Sequence, residues 1–108
     1  MSERFSIQFS ASAKREFEEL DVFIQRRVSD AIDQKLSVQP NHASRHRKRL
    51  GSEPANFGFD PPLWELRVDV IRVFYTVSQD NLIVVVCAVR RKPPEWTTSK
   101  VLNEDRGD

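Results

Sequence analysis

Hydrophobic and polar residues alternate at the start of the chain. In the segment RFSIQFS, Phe5, Ile7 and Phe9 occupy every second position, with Ser6 and Gln8 between them. A period of two predicts a strand with one buried face, because successive side chains of a strand point to opposite sides. The chain is therefore predicted to begin with a half-buried β-strand.

Two helices are predicted after this strand. A serine precedes a run of good helix formers, which predicts a helix from about Ser12 to Leu20. In the next segment apolar residues recur about every four positions, as in a stripe along one side of a helix: Ile24, Val28, Ala31, Ile32 and Leu36. Pro40 ends this second helix. The pair is predicted to form a hairpin that lies on a sheet.

Three strands are predicted in the second half of the chain, over about residues 63–68, 71–78 and 82–90. The last contains LIVVVCAV, which is apolar on both faces, as is typical of a central strand. The connection 39–62 holds four prolines and two glycines and is predicted to be irregular. The resulting β-α-α-β-β-β order predicts an α+β fold with a helical hairpin on an antiparallel sheet. A short tail or helix follows Pro93-Pro94 and frays from about residue 103.

Two arginines stand inside the predicted sheet. A hairpin that turns at Asp69-Val70 pairs Arg67 with Arg72 and places both on the same face as Glu65, opposite the face of Trp64, Leu66, Val73 and Tyr75. Like charges directly opposite each other destabilise a sheet, so an acid or a bound anion must offset the repulsion. Either Glu65 and solvent neutralise a wet sheet face, or the guanidinium groups bind phosphate.

The next hairpin extends this arginine face. If it turns at Asp80-Asn81, Arg72 faces Val89, and Arg91 falls on the same side as Arg72, followed by Lys92. Three arginines from three adjacent strands are then predicted to converge, and a slip of one residue would move a whole strand's side chains to the other face.

Charge is unevenly distributed along the chain. The net charge is only +1, yet residues 45–92 carry nine basic and five acidic side chains. Part of this excess lies in RHRKRL, where Arg45, Arg47, Lys48 and Arg49 are either a solvated run or a clamp on a polyanionic backbone. The 108 residues suit a single domain, predicted over residues 1–108. The chain shows no apolar run of membrane-spanning length and one cysteine, which predicts a cytoplasmic protein without a membrane partner.

The sequence gives weaker support for a functional role of its histidines, its cysteine and Trp96. His42 and His46 have a helical metal-ligand spacing but no carboxylate or cysteine close in sequence, so no metal site and no cofactor are predicted. Cys87 lies among valines and is interpreted as a core residue. Trp96 either covers the core or stacks on a base, and the core is favoured.

The segment ELRVDVIRVFYTVSQDNLIVVVCAVRRKPP, residues 65–94, resembles the signature of RelE/ParE-type toxins of bacterial type II toxin–antitoxin systems. The matching pieces are LRV at 66–68, IRVFY at 71–75, the turn at 78–81 and AVRRK at 88–92. The resemblance covers about residues 4–102 and implies the RelE/ParE fold. It also implies that an antitoxin binds and silences the toxin and that the pair binds operator DNA.

The resemblance implies two activities. RelE-like members cut messenger RNA in the ribosomal A site as metal-independent endoribonucleases: a 2′-hydroxyl attacks the adjacent phosphate, and basic side chains stabilise the developing charge. ParE-like members inhibit DNA gyrase. A third possibility is a degenerate, non-toxic relative that acts only as an antitoxin-bound DNA-binding partner.

Carried over to this chain, the resemblance to the nucleases implies that Arg67 and Arg72 hold the scissile phosphate and that Arg91 or Lys92 stabilises the transition state. It also implies that residues 45–49 bind ribosomal RNA. Two features of the chain depart from the RelE pattern. This chain has Leu63 and Glu65 where such nucleases often carry lysines, and Trp96 in a tail that often carries a tyrosine. Glu65 is then either the general base or a residue that balances charge. We predict an endoribonuclease toxin, with gyrase inhibition as the alternative.

Overall fold

Five strands and three helices form the part of the chain that the computed structural model describes, residues 4–51 and 55–104. In chain order they are β1 (Ser6–Phe9), α1 (Ala11–Glu18), α2 (Val22–Leu36), β2 (Arg47–Arg49), β3 (Trp64–Val68), β4 (Ile71–Ser78), β5 (Ile83–Arg91) and α3 (Thr98–Leu102). The predicted α+β class and the order of its main elements are confirmed. The end of the predicted frayed tail, residues 105–108, lies outside the described residues.

The strands form one sheet in the order β1-β5-β4-β3-β2. Two of its features differ from the prediction. β1 pairs with β5 in parallel, so the sheet is mixed rather than wholly antiparallel. The connection 39–62 contains the edge strand β2, which the pattern did not reveal because its three residues, Arg47–Arg49, are all charged. Charged side chains are common on edge strands, where they discourage pairing with other chains.

Each face of the sheet has its own apolar core. The stripe of α2 is confirmed: Val28, Ile32 and Leu36 are buried against the sheet. They pack on the predicted inner face, whose members are Trp64, Leu66, Val73 and Tyr75. On the opposite face, Phe74 and Ala88 pack with Leu50, Leu63 and two residues of α3, Val101 and Leu102. Because both faces are covered, β4 and β5 are largely buried, as the apolar run of the last strand predicted.

Side chains cap the two helices of the hairpin. Ser10 accepts a hydrogen bond from the Ala13 N–H at 3.1 Å, and Asp21 accepts one from the Ile24 N–H at 2.9 Å. Each acceptor satisfies a donor that the first turn of a helix leaves unpaired. Across the described ranges, the helices are all too short or too polar to cross a bilayer.

The hairpin between β3 and β4 has the predicted register. Arg67 lies opposite Arg72, and Val68 lies opposite Ile71. The turn is completed by Asp69, whose φ of 55° falls in the left-handed region that aspartate tolerates better than most residues.

The hairpin between β4 and β5 begins in the predicted register and then departs from it. Ser78 pairs with Ile83 and Tyr75 with Val86, but Phe74 pairs with Ala88, which leaves Cys87 as the extra residue of a β-bulge. Beyond the bulge, Arg72 lies opposite Arg90, not Val89, and Arg91 lies opposite Ile71. The prediction that Arg91 shares the face of Arg72 is therefore wrong, because the bulge reverses the facing of every later residue of β5.

Candidate functional site

Cationic side chains follow one another across the sheet face opposite the one that carries α2. Lys48 of β2 lies opposite Glu65 of β3, Arg67 lies opposite Arg72 of β4, and Arg72 lies opposite Arg90 of β5. Three adjacent strands therefore bring three arginines together, as the sequence predicted, although the third is Arg90. The three differ in burial, and that difference decides what each can bind.

Arg90 is an internal anchor. It is buried, and its Nε donates to a carboxylate oxygen of Glu16 at 3.0 Å. Its Nη1 donates to the carbonyl oxygens of Val101 and Leu102, both at 2.9 Å, and its guanidinium lies over the ring of Phe57. Glu16 also accepts the backbone N–H of Val89 at 2.9 Å. One ion pair thus joins α1, β5 and α3, and it leaves Arg90 little capacity for an external anion.

The helical spacing of α1 contains a signal for Glu16. Glu16 follows Ala13 by three positions and precedes Phe17, and both of these residues pack into the core. A residue three positions from a buried one lies on the same side of a helix. A carboxylate on that side needs a buried cation, and Arg90 supplies it.

Arg72 is also buried. Its Nη1 donates to the carbonyl oxygens of Asp69 at 2.7 Å and Ile71 at 3.0 Å, and its Nε lies 3.9 Å from Glu65 without a hydrogen-bond partner. Burial lowers the pKa of Arg72, the nearby Arg67 lowers it further, and Glu65 acts in the opposite direction. Glu65 in turn accepts a hydrogen bond from the hydroxyl of Thr98 at 3.3 Å. The pair balances charge inside the protein.

Arg67 is the exposed arginine of this face. Its side chain lines a cavity of about 380 Å³ beside β2, which we call the β2 groove. The basic residues that line the groove are Arg45, Arg47, Lys48, Arg49 and Arg67. Among the described residues, Glu65 is the one acidic residue that lines it. The basic run predicted from the sequence therefore meets Arg67 at a single concave surface.

Arg47 is engaged within the fold. Its Nη1 donates to the carbonyl oxygens of Lys35 at 2.9 Å and Gln39 at 2.8 Å, and its Nε donates to the hydroxyl of Ser44 at 3.1 Å. Lys35 lies in the last turn of α2, where carbonyl groups lack helical partners and the helix dipole favours a cation. Arg47 thus fastens β2 to the end of α2, while Arg45, Lys48 and Arg49 are exposed.

The remaining predicted residues lie elsewhere. Arg91 is exposed on the side of the sheet that carries α1 and α2. Lys92 is half-buried just beyond β5, where its N–H donates to the carbonyl of Val70 at 2.6 Å. Cys87 is buried, as predicted, and its burial raises the pKa of the thiol. Trp96 packs against the second core, which confirms the favoured interpretation.

Within residues 4–51 and 55–104, no three His, Cys, Asp or Glu side chains come together in a group that could hold a metal ion.

Comparison with known proteins identifies the family. The sequence model of the family described as ParE toxin of type II toxin-antitoxin system, parDE, matches residues 7–92. The chain belongs to the ParE toxin family. This match confirms the RelE/ParE resemblance of residues 65–94. A search of curated proteins finds no match to the toxin.

Solved structures share the toxin's fold. A RelBE2 toxin–antitoxin complex from Mycobacterium tuberculosis aligns with a TM-score of 0.68 and 22% identity, covering 83% of this chain and 93% of that one. The isolated Escherichia coli RelE toxin aligns with a TM-score of 0.62 and 13% identity, covering 84% and 87%. A RelE–RelB complex from Pyrococcus horikoshii aligns with a TM-score of 0.59 and 15% identity, covering 84% of this chain and 98% of that one. These matches confirm the predicted RelE/ParE-like fold.

Proposed function

We propose that this ParE-family toxin inhibits translation by cutting messenger RNA in the ribosomal A site. The observation that carries the proposal is the β2 groove, where the described residues place five basic side chains and one acidic one at a single concave surface. The net charge of the chain is only +1, so this surface, and not the overall charge, favours a polyanion. Guanidinium groups suit phosphate because they donate in a planar fork and stay charged at neutral pH.

In this proposal the exposed cations of the groove hold the RNA backbone. Arg67 and Lys48 lie on adjacent strands of one face, where they can contact the scissile phosphate and stabilise its developing negative charge. The 2′-hydroxyl attacks that phosphate, and Arg45 and Arg49 hold flanking phosphates. Arg72 and Glu65 support the face from within. Arg91 has no part in this site, because it lies outside the β2 groove.

We further propose that an antitoxin silences the toxin and that the pair binds operator DNA. Two of the similar structures are complexes of a RelE-type toxin with its antitoxin. Those relatives share under 25% identity with this chain, so the partner is inferred from the family and the fold together.

Gyrase inhibition is the second candidate. Two observations favour it: the matching family is that of the ParE toxins, and two of the three converging arginines are buried. A toxin that acts by binding gyrase would not need a cluster of exposed catalytic cations.

Induction of the chain without any antitoxin tests the proposal. We expect growth arrest, with new message ends mapped to codons held in the A site of arrested ribosomes. Arg67→Ala and Lys48→Ala should each abolish the new ends while the variants keep the circular dichroism spectrum of the native chain. Arg26→Ala is the matched control, since Arg26 is an exposed cation of α2 outside the β2 groove.

Other outcomes would overturn the proposal. Intact messages combined with DNA-damage signalling would select gyrase inhibition. Harmless expression would select the non-toxic, antitoxin-bound partner. Full cleavage by both groove variants would remove the β2 groove from the mechanism.

A further inference from the structure

The histidine at the entry to β2 lies beside Arg67. The Arg67 N–H donates to the carbonyl oxygen of His46 at 2.7 Å. The β2–β3 register, in which Arg47 pairs with Leu66, places His46 opposite Arg67 when it is extended by one residue. Residues directly opposite on antiparallel strands carry their side chains on one face, with Cβ atoms about 5 Å apart. The imidazole and the guanidinium are therefore neighbours.

These two residues also connect two cavities. A second cavity of about 510 Å³ lies between α2 and the end of β3, and His46 and Arg67 line both this cavity and the β2 groove. His46 is exposed, and its imidazole makes no hydrogen bond to any described residue. A molecule bound along the two cavities would pass directly over this pair.

The charged groups around His46 come from three directions. α2 contributes Arg27, Asp30 and Lys35, the β2 segment contributes Arg45, Arg47, Lys48 and Arg49, and β3 contributes Glu65, Arg67 and Asp69. Several of them are engaged: Arg27 pairs with Asp69, and Arg47 caps α2. Arg67 remains exposed beside the imidazole and is free to hold a phosphate there.

Other candidate bases are less accessible. Glu65 is 5% exposed, lies 3.9 Å from the Nε of Arg72 and accepts a hydrogen bond from Thr98. Tyr75 is fully buried and donates to the carbonyl of Pro40 at 2.6 Å. An exposed histidine next to an exposed arginine is accessible to an RNA backbone held by that arginine, as a general base must be.

We propose that His46 is the general base of the RNA cleavage, a role that rests on the proposed nuclease function. The neutral imidazole removes the proton of the 2′-hydroxyl, and the 2′-oxygen forms a bond to phosphorus. The bond from phosphorus to the 5′-oxygen breaks, and that oxygen takes a proton from water. The products are a 2′,3′-cyclic phosphate and a 5′-hydroxyl, and the imidazolium returns its proton to solvent.

The test compares His46→Gln with His42→Gln in cell-free translation reactions that measure the rate of message cleavage. His42 is the matched control, because it is the chain's other histidine, is exposed and lies outside both cavities. General base catalysis contributes about 100-fold to 10,000-fold. We therefore expect His46→Gln to slow cleavage about 100-fold or more and His42→Gln to leave the rate unchanged.

Two further readouts separate proton transfer from structure. Because a general base must be unprotonated to accept the proton, the native rate should fall as the pH is lowered and the residual rate of His46→Gln should not. Added imidazole should restore cleavage by His46→Gly, since the site opens to solvent. A His46→Gln rate equal to the native rate, or an unchanged pH profile, would overturn the assignment of His46. Absence of cleavage by the native chain would instead overturn the nuclease function itself.

Discussion

At the scale of single residues, burial separates side chains that look alike in the sequence. Arg67, Arg72 and Arg90 are cross-strand neighbours, but only Arg67 is exposed. Arg67 is accessible to water and ligands, whereas Arg90 donates its hydrogen bonds to Glu16 and to carbonyl groups of α3. A variant of Arg72 or Arg90 therefore reports mainly on stability, and a variant of Arg67 reports on binding.

The Glu16–Arg90 pair should be essential to stability. Removing one partner of a buried ion pair leaves an uncompensated charge and costs about 3–5 kcal/mol. Arg90→Ala should lower the free energy of unfolding by about that amount, as measured by denaturant titration. Arg27→Ala is the control, because the Arg27–Asp69 pair is exposed and exposed pairs contribute about 1 kcal/mol or less. Equal effects of the two variants would contradict the anchoring role of Arg90.

Tyr75 should make the fold sensitive to alkali. Burial raises its pKa well above the ordinary value of 10.0, although the charge of Arg47 acts in the opposite direction. Above about pH 10 the unfolded chain loses the phenol proton while the folded chain keeps it, so stability is full below that pH and falls as the pH rises.

Absorbance of tyrosinate can follow this titration directly, since Tyr75 is the only tyrosine of the chain. We expect ionisation to coincide with unfolding. Tyr75→Phe should lose about 1 kcal/mol at neutral pH with its hydrogen bond to Pro40, and it should show a smaller alkaline loss. Ionisation at the ordinary tyrosine pKa in the folded protein would contradict this account.

At the scale of elements, β2 combines two tasks in three residues. Its residues alternate between the faces of the sheet, so Arg47 and Arg49 lie on the side of Leu66 and Trp64, and Lys48 lies on the side of Glu65. Arg47 holds the end of α2, and Lys48 points to the cationic face. A single short strand thereby attaches the basic segment to the helical hairpin and displays it.

Substitutions in β2 should separate these tasks. Arg47→Ala should lower the free energy of unfolding by about 1–3 kcal/mol, because it removes charge-assisted hydrogen bonds to Lys35 and Gln39. Arg49→Ala removes the same charge from an exposed position and should change stability by less than about 0.5 kcal/mol. Denaturant titration of the two variants gives the comparison, and a stable Arg47→Ala would show that β2 is held by its backbone alone.

At the scale of the whole molecule, the distribution of charge matters more than its total. Five of the nine basic residues in 45–92 line the β2 groove and form a local cationic surface on a chain whose net charge is +1. Both faces of the sheet carry a core, and this surface lies at the edge of the sheet, beside the edge strand β2.

Binding of single-stranded RNA should therefore depend on salt through the β2 groove. Each phosphate contact adds about 0.7 to the slope of log affinity against log salt concentration. Lys48→Ala and Arg67→Ala should each reduce that slope by about this amount in anisotropy titrations with a labelled oligonucleotide. Arg26→Ala should leave the slope unchanged, and a general reduction by all three variants would indicate binding without a defined site.

Much of this architecture could be predicted from the sequence. The spacing of apolar residues located α2 and its buried side, and the turn at Asp69-Val70 fixed the pairing of Arg67 with Arg72. β2 escaped prediction because a charged edge strand has no apolar alternation. The parallel pairing of β1 with β5 also escaped, since it joins segments from opposite ends of the chain. The role of Arg90 depends on Glu16, which is 74 positions away in sequence.

The bulge at Cys87 has a consequence for any change in the length of β5. Arg90 and Arg91 are chemically identical neighbours, and a single additional backbone unit determines which one becomes the internal anchor and which one meets solvent. Insertion of one more residue between the bulge and Arg90 would place Arg90 opposite Ile71, withdraw its cation from Glu16 and drive it toward the apolar layer under the helices. The structural role of each arginine is therefore determined by its position in β5 relative to the bulge, since the two side chains are the same.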